Sequence, residues 1–144
     1  VNTLQIKIVK DYEALPKVYC YPGPLNQVFM NLLTNAIDAL EENNKQRTPQ
    51  DIKTNPSEIQ ISTSVIDKDW ITISIADNGP GIPPEIEDQI FNPFFTTKPV
   101  GKGTGLGLSI SYQIITEKHK GKLYFHSTPG EGAEFVVEIP IKKK

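Results

Sequence analysis

Cysteine, methionine and tryptophan occur once each among the 144 residues. A single thiol, Cys20, closes no internal disulfide and builds no cysteine zinc site, so the expected setting is a reducing one, the cytoplasm. Cys20 stands in the apolar run Val18-Tyr19-Cys20-Tyr21 and reads as a core or near-core thiol. Excess charge is also missing. Fifteen Lys and Arg against 17 Asp and Glu leave a formal net charge of −2 and a pI near 5.7. That balance gives no footprint for nucleic acid, and the lysines at 142–144 read as a short solvated tail. No apolar run approaches the roughly 20 residues that span a bilayer, and no signal-peptide pattern opens the chain, so no membrane contact is expected. The sequence starts at Val1 without an initiator methionine, inside what reads as a strand, which points to a piece of a longer protein. With 38% hydrophobic residues it suffices for one core, a single domain over 1–144.

Glycine, by contrast, is concentrated. Residues 100–109 read Val100-Gly101-Lys102-Gly103-Thr104-Gly105-Leu106-Gly107-Leu108-Ser109 and run into an apolar-periodic segment reaching about His119. Four glycines there let successive N–H groups converge on an anion at a helix start. The spacing fits neither the common P-loop nor the dinucleotide fingerprint. Taken alone, it is a phosphate cradle or a flexible loop.

Leu4, Ile6 and Ile8 alternate with Gln5, Lys7 and Val9, which predicts a half-buried strand, and residues 18–21 predict a second short extended piece, the two as edge or hairpin elements. Pro24 is placed for the first turn of a helix over 25–42. Phe29, Leu33, Ala36 and Leu40 share one side of that helix, while Gln27, Asn31, Asn35 and Asp38 fall within an arc of about 80° on the opposite side. Asparagine is a modest helix former, so two of them a turn apart either line a polar solvent face or do chemistry. Residues 42–56 read as an exposed loop with no assigned chemistry. Residues 58–66 and 70–76 alternate around Asp67-Lys68-Asp69 and predict a β-hairpin. Its second strand ends in Asp77-Asn78-Gly79-Pro80-Gly81-Ile82, which either presents one carboxylate to a pocket or simply turns the chain. A short helix over 85–90 leads to Phe91-Asn92-Pro93-Phe94-Phe95-Thr96-Thr97-Lys98, where a packing plug of phenylalanines precedes hydroxyls and a cation. Lys98 and Lys102 set positive charge where a polyphosphate would sit. Residues 122–126 and 133–141 predict a closing hairpin around Pro129-Gly130-Glu131-Gly132.

Four blocks in this order resemble the catalytic, ATP-binding domain of bacterial sensor histidine kinases, in the GHKL ATP-binding superfamily. Asn31-Leu32-Leu33-Thr34-Asn35-Ala36-Ile37-Asp38-Ala39 is similar to the N box, Asp77–Ile82 to the first glycine box, 91–98 to the F box and 101–108 to the second glycine box. The resemblance runs nearly end to end. It implies a two-layer α/β sandwich, with a mixed, mostly antiparallel sheet of about five strands and three helices on one face. ATP would lie between the helices and a lid over about 92–105. It implies that Asp77 accepts a hydrogen bond from the adenine amino group, that Asn35 with Asn31 coordinates Mg²⁺, and that Asp38 belongs to the same box. It further implies a nucleotide site completed by Gly79, Gly81, Ile82, Phe94, Thr96, Thr97, Lys98, Lys102, Gly103, Thr104, Gly105, Leu106, Gly107 and Leu108. A neutral amide oxygen suits Mg²⁺, which keeps several waters and draws charge balance from phosphates.

In hydrolysing relatives a glutamate one helical turn before the metal asparagine activates water. Here that position is Asn31, and an amide takes no proton from water, so the resemblance implies transfer of the γ-phosphoryl group to an external nucleophile. In sensor kinases this is a histidine on a separate helical dimerisation domain, with a response regulator downstream. His119 and His126 both read as structural, and the isolated chain is expected to be monomeric and not to phosphorylate itself. Two alternatives remain: a regulatory module that uses ATP only to order its lid, and a serine kinase of the anti-sigma type. Ala133 and Lys120 depart from the family pattern, where a threonine and a glycine are frequent.

Overall fold

The computed structural model describes residues 5–93, 95 and 107–142. Five strands form one sheet in the order β1-β2-β3-β5-β4: β1 (Lys7–Tyr12), β2 (Glu58–Ile66), β3 (Trp70–Asp77), β4 (Lys122–Thr128) and β5 (Gly132–Pro140). The two predicted hairpins form as expected, β2 with β3 and β4 with β5. β1 does not. It pairs parallel to β2, so it is an edge strand reached by a crossover rather than half of a hairpin. Nor are residues 18–21 a strand: their tie to the sheet end is Tyr19 N–H to the Ile141 carbonyl at 3.0 Å, with Tyr19 itself exposed. The alternation of β1 also overstates its burial. Ile8 is aligned with buried Ile59 yet is 47% exposed, as befits a position at the open edge.

Strand parity divides the sheet. Ile71, Ile75, Phe135, Val137, Ile139 and Leu123 all belong to the buried core on the helix side. At one end of that inner face Ile59, Asp77, Ala133 and Ser127 stand in a single transverse row. The core is closed by α1 (Pro22–Asn44) and α3 (Gly107–Gln113). The first turn of α1 carries no side-chain cap. Pro22 and Pro24 stand where intrahelical partners for N–H are lacking anyway, and Leu25 N–H closes the first bond on the Tyr21 carbonyl at 2.9 Å.

The buried stripe of α1 is Val28, Leu32, Ala36 and Leu40, with Phe29 and Leu33 only partly buried. This turns the expected core face toward Asn31 and Asn35. At about 100° per residue Asn35 lies only about 20° from Val28. The asparagines therefore border the core rather than oppose it, and both are half-buried. Residues 42–56 are not simply loop. α2 (Pro49–Thr54) forms there behind a capping box in which Thr48 Oγ1 accepts Asp51 N–H and Asp51 receives Thr48 N–H. The 84–89 segment is a 3₁₀ turn, and α3 continues over Ile114–Lys118 as a π turn that ends at His119. Among the described residues no helix is long and apolar enough to cross a membrane.

Candidate nucleotide site

Asp77 is the last residue of β3 and is half-buried on the helix side. Its Oδ1 accepts the Gly79 N–H at 2.9 Å. Burial holds its carboxyl above the usual carboxylate range, against opposing backbone hydrogen bonds from Gly79 and Ala133. Gly79 separates this carboxylate from α1: a Cβ there would lie 2.9 Å from Asp77 Oδ1 and 3.5 Å from Leu40 Cδ2. A side chain at 79 would press on the carboxylate and displace it.

The turn after Asp77 is pinned at several points. Asn78 Oδ1 accepts Glu58 N–H at 2.8 Å, and its Nδ2 donates to the Pro56 carbonyl at 3.0 Å. Gly81 has φ +78° and runs against β4, where a Cβ would meet the Thr128 carbonyl at 2.8 Å. Ile82 packs on the core and donates its N–H to Ser127 Oγ at 2.7 Å, while Gly130 N–H reaches the Pro80 carbonyl at 2.8 Å. Asn78 stands inside the first glycine box with no role assigned to it there, and Ser127 lies outside all four blocks. The signal for Ser127 lies in strand parity, which sets it in the row of Asp77.

Across the site, Asn31 connects α1 to the start of α3. Its Nδ2 donates to the Gly107 carbonyl and to Ser111 Oγ, both at 3.1 Å, and its Oδ1 accepts from Gln27 Nε2 at 3.0 Å. Asn35 follows one turn later and Asp38 just beyond, both half-buried. Thus α1 runs from the first turn of α3 at Asn31 to the glycine turn at Leu40, and the structure draws Asn31, Gly107, Gly79 and Asp77 around one helix. Leu108 packs on the core. Phe91 stacks against Tyr112, Phe125 and Phe135 at 5.1, 6.0 and 6.4 Å between ring centres, so this part of the phenylalanine cluster is packing. Phe94, Thr96, Thr97, Lys98, Lys102, Gly103, Thr104, Gly105 and Leu106 lie outside the described residues.

Residues 21–143 match the model of the histidine kinase-, DNA gyrase B- and HSP90-like ATPase family. The chain belongs to this family. Within it, the solved catalytic domain of the histidine kinase ThkA superposes with a TM-score of 0.75 at 32% identity, covering 96% of this chain and 82% of that one. Full-length ShkA in complex with AMPPNP superposes with a TM-score of 0.76 at 28% identity, covering 96% of this chain and 26% of that one. Sporulation kinase E of Bacillus subtilis is 33% identical over 97% of this chain, which spans 16% of that relative's length. The similarity therefore falls on the catalytic domain of sensor histidine kinases.

Proposed function

We propose that the chain binds Mg-ATP in the bay bounded by α1, the 77–82 turn and the start of α3, and passes the γ-phosphoryl group to a histidine on a separate helical domain. The observation that carries this is the pairing of a half-buried strand-end carboxylate, Asp77, with amide side chains on the facing helix at Asn31 and Asn35. Asp77 accepts from the adenine amino group. Asn35 holds Mg²⁺ through its amide oxygen. Asn31 offers the metal only its oxygen, because its nitrogen is engaged with α3. Among the described residues no group of three or more His, Cys, Asp or Glu forms a metal cluster. An ion held by amide oxygens keeps several waters and takes its charge balance from the phosphates. The backbone at 101–107, with Lys98 and Lys102, receives the phosphates.

With an amide rather than a glutamate at 31, no described side chain stands at that position to take a proton from water, so the phosphoryl group waits for an outside nucleophile. Neither histidine of this chain fits that role: both ring nitrogens of His119 are hydrogen-bonded inside the fold, and His126 stands on β4 against Tyr124. The partners are accordingly a helical dimerisation domain and, downstream, a response regulator, in the cytoplasm, and the domain alone is monomeric. Incubation with labelled ATP and a helical histidine domain from a related kinase tests the reading. Acid-labile phosphate on that domain, and none on this chain, is expected. Acid-stable phosphate, label on this chain or no transfer would reject it.

A further inference from the structure

Resting on the nucleotide reading above, we infer that Gln27, an exposed residue outside the four sequence blocks, is a positioning residue that holds the Asn31 amide in the orientation α3 requires of it. The argument follows the hydrogens. Ser111 is fully buried and gives its hydroxyl hydrogen to the Gly107 carbonyl at 2.7 Å. The first turn of α3 therefore shows α1 two acceptors, the Gly107 oxygen and Ser111 Oγ. Asn31 can meet both only with its Nδ2, as it does at 3.1 Å each. Its Oδ1 is then left facing outward, and Gln27 Nε2 donates to it at 3.0 Å from one turn back on α1. Turned over, the amide would set oxygen against two acceptors and nitrogen against the donor of Gln27. The relay Gln27, Asn31, Gly107 and Ser111 thereby clamps the start of α3, which directly follows the glycine-rich segment, to α1 one turn before Asn35. It holds the first turn of α3 against α1 beside the asparagines.

Gln27 is exposed, so its replacement leaves the core untouched. Gln27→Leu removes the donor. Gln27→Glu puts an acceptor in its place, which pulls Nδ2 of Asn31 away from α3 and turns the amide over. Leucine and glutamate are both good helix formers, so a role in helix stability alone does not rank them in that order. The experiment titrates the chain with AMPPNP with and without Mg²⁺, and follows hydrogen exchange of the Asn31 side-chain amide by NMR without nucleotide. Expected are losses of Mg-AMPPNP affinity of about threefold for Gln27→Leu and about tenfold for Gln27→Glu, with smaller losses when Mg²⁺ is absent. Exchange at the Asn31 amide should be faster in both variants. Unchanged exchange, or affinities equal to that of the unaltered chain, overturns the role of Gln27 while leaving the nucleotide reading intact. Failure of the unaltered chain to bind AMPPNP overturns both.

Discussion

The imidazole of His119 joins the end of the α3 segment to the start of α1: its Nε2 accepts the Tyr21 N–H at 2.9 Å, while Nδ1 donates to the Ile114 carbonyl at 3.0 Å. The ring also meets the Tyr21 ring edge-on, with centres 5.4 Å apart. Tyr21 is the N-cap of the helix that carries both asparagines. His119→Leu leaves the Tyr21 N–H without its acceptor and removes the edge-on ring contact, while the Ile114 carbonyl keeps the His119 backbone N–H at 3.2 Å. The variant should lose about 2 kcal/mol of stability, measured by urea unfolding.

The next residue carries strain. Lys120 has φ +55°, a left-handed conformation in which a side chain is unfavourable. This is the position where the family resemblance expects glycine. Lys120→Gly should therefore raise stability by about 1 kcal/mol, visible as a higher urea midpoint with an unchanged slope.

Asp77 is expected to work against the fold that holds it. Its carboxyl is raised above the ordinary value of 3.8, mainly by burial, so the folded chain holds that proton more tightly than the unfolded chain. The contribution to stability is then fully present below the unfolded value and is lost as pH rises through the folded one. At neutral pH the ionised group is a cost. Asp77→Asn, whose amide still accepts the Gly79 N–H, should be more stable than the parent at pH 7, with the difference shrinking as pH falls. It should also bind ATP and GTP with less discrimination. Thermal unfolding across pH and paired nucleotide titrations check the two halves, and an unchanged ATP/GTP ratio would count against the adenine role.

Gly132 begins β5 directly against the carbonyl of Asp77. It has φ +120°, and a Cβ there would lie 2.0 Å from that oxygen. Gly132→Ala should cost about 3 kcal/mol and displace the end of β3, so that unfolding midpoint and AMPPNP affinity fall together.

Much of this arrangement could be read from the residues because it is local. The alternation in β2 and β3, with its turn at Asp67-Lys68-Asp69, is a pattern of adjacent positions, and it delivers Asp77 to a strand end without further information. The parallel pairing of β1 with β2 is not local: some fifty residues separate the partners Lys7 and Glu58, and nothing in either strand encodes the register. α2 was hidden for another reason. It buries no residue, so it has no apolar period, and its signals are confined to its ends: Thr48 three positions before Asp51, Pro49 in the first turn and Lys53 in the last. The setting of Asn31 depends on α3 lying over α1, and Ser111, which anchors it, reads in sequence as one more polar residue on a helix. The helical wheel separated apolar from polar side chains of α1, but packing against α3 decided which polar ones became half-buried.

The most direct test of the central claim is calorimetric titration of the chain with AMPPNP, with and without Mg²⁺, repeated on Asp77→Ala, Asp77→Asn and Asn35→Asp. The account predicts Mg²⁺-responsive binding by the parent, its loss in Asp77→Ala, and a larger disturbance of the Mg²⁺ response in Asn35→Asp than in Asp77→Asn. Binding that survives Asp77→Ala unchanged, or a folded parent that binds no nucleotide, would contradict it.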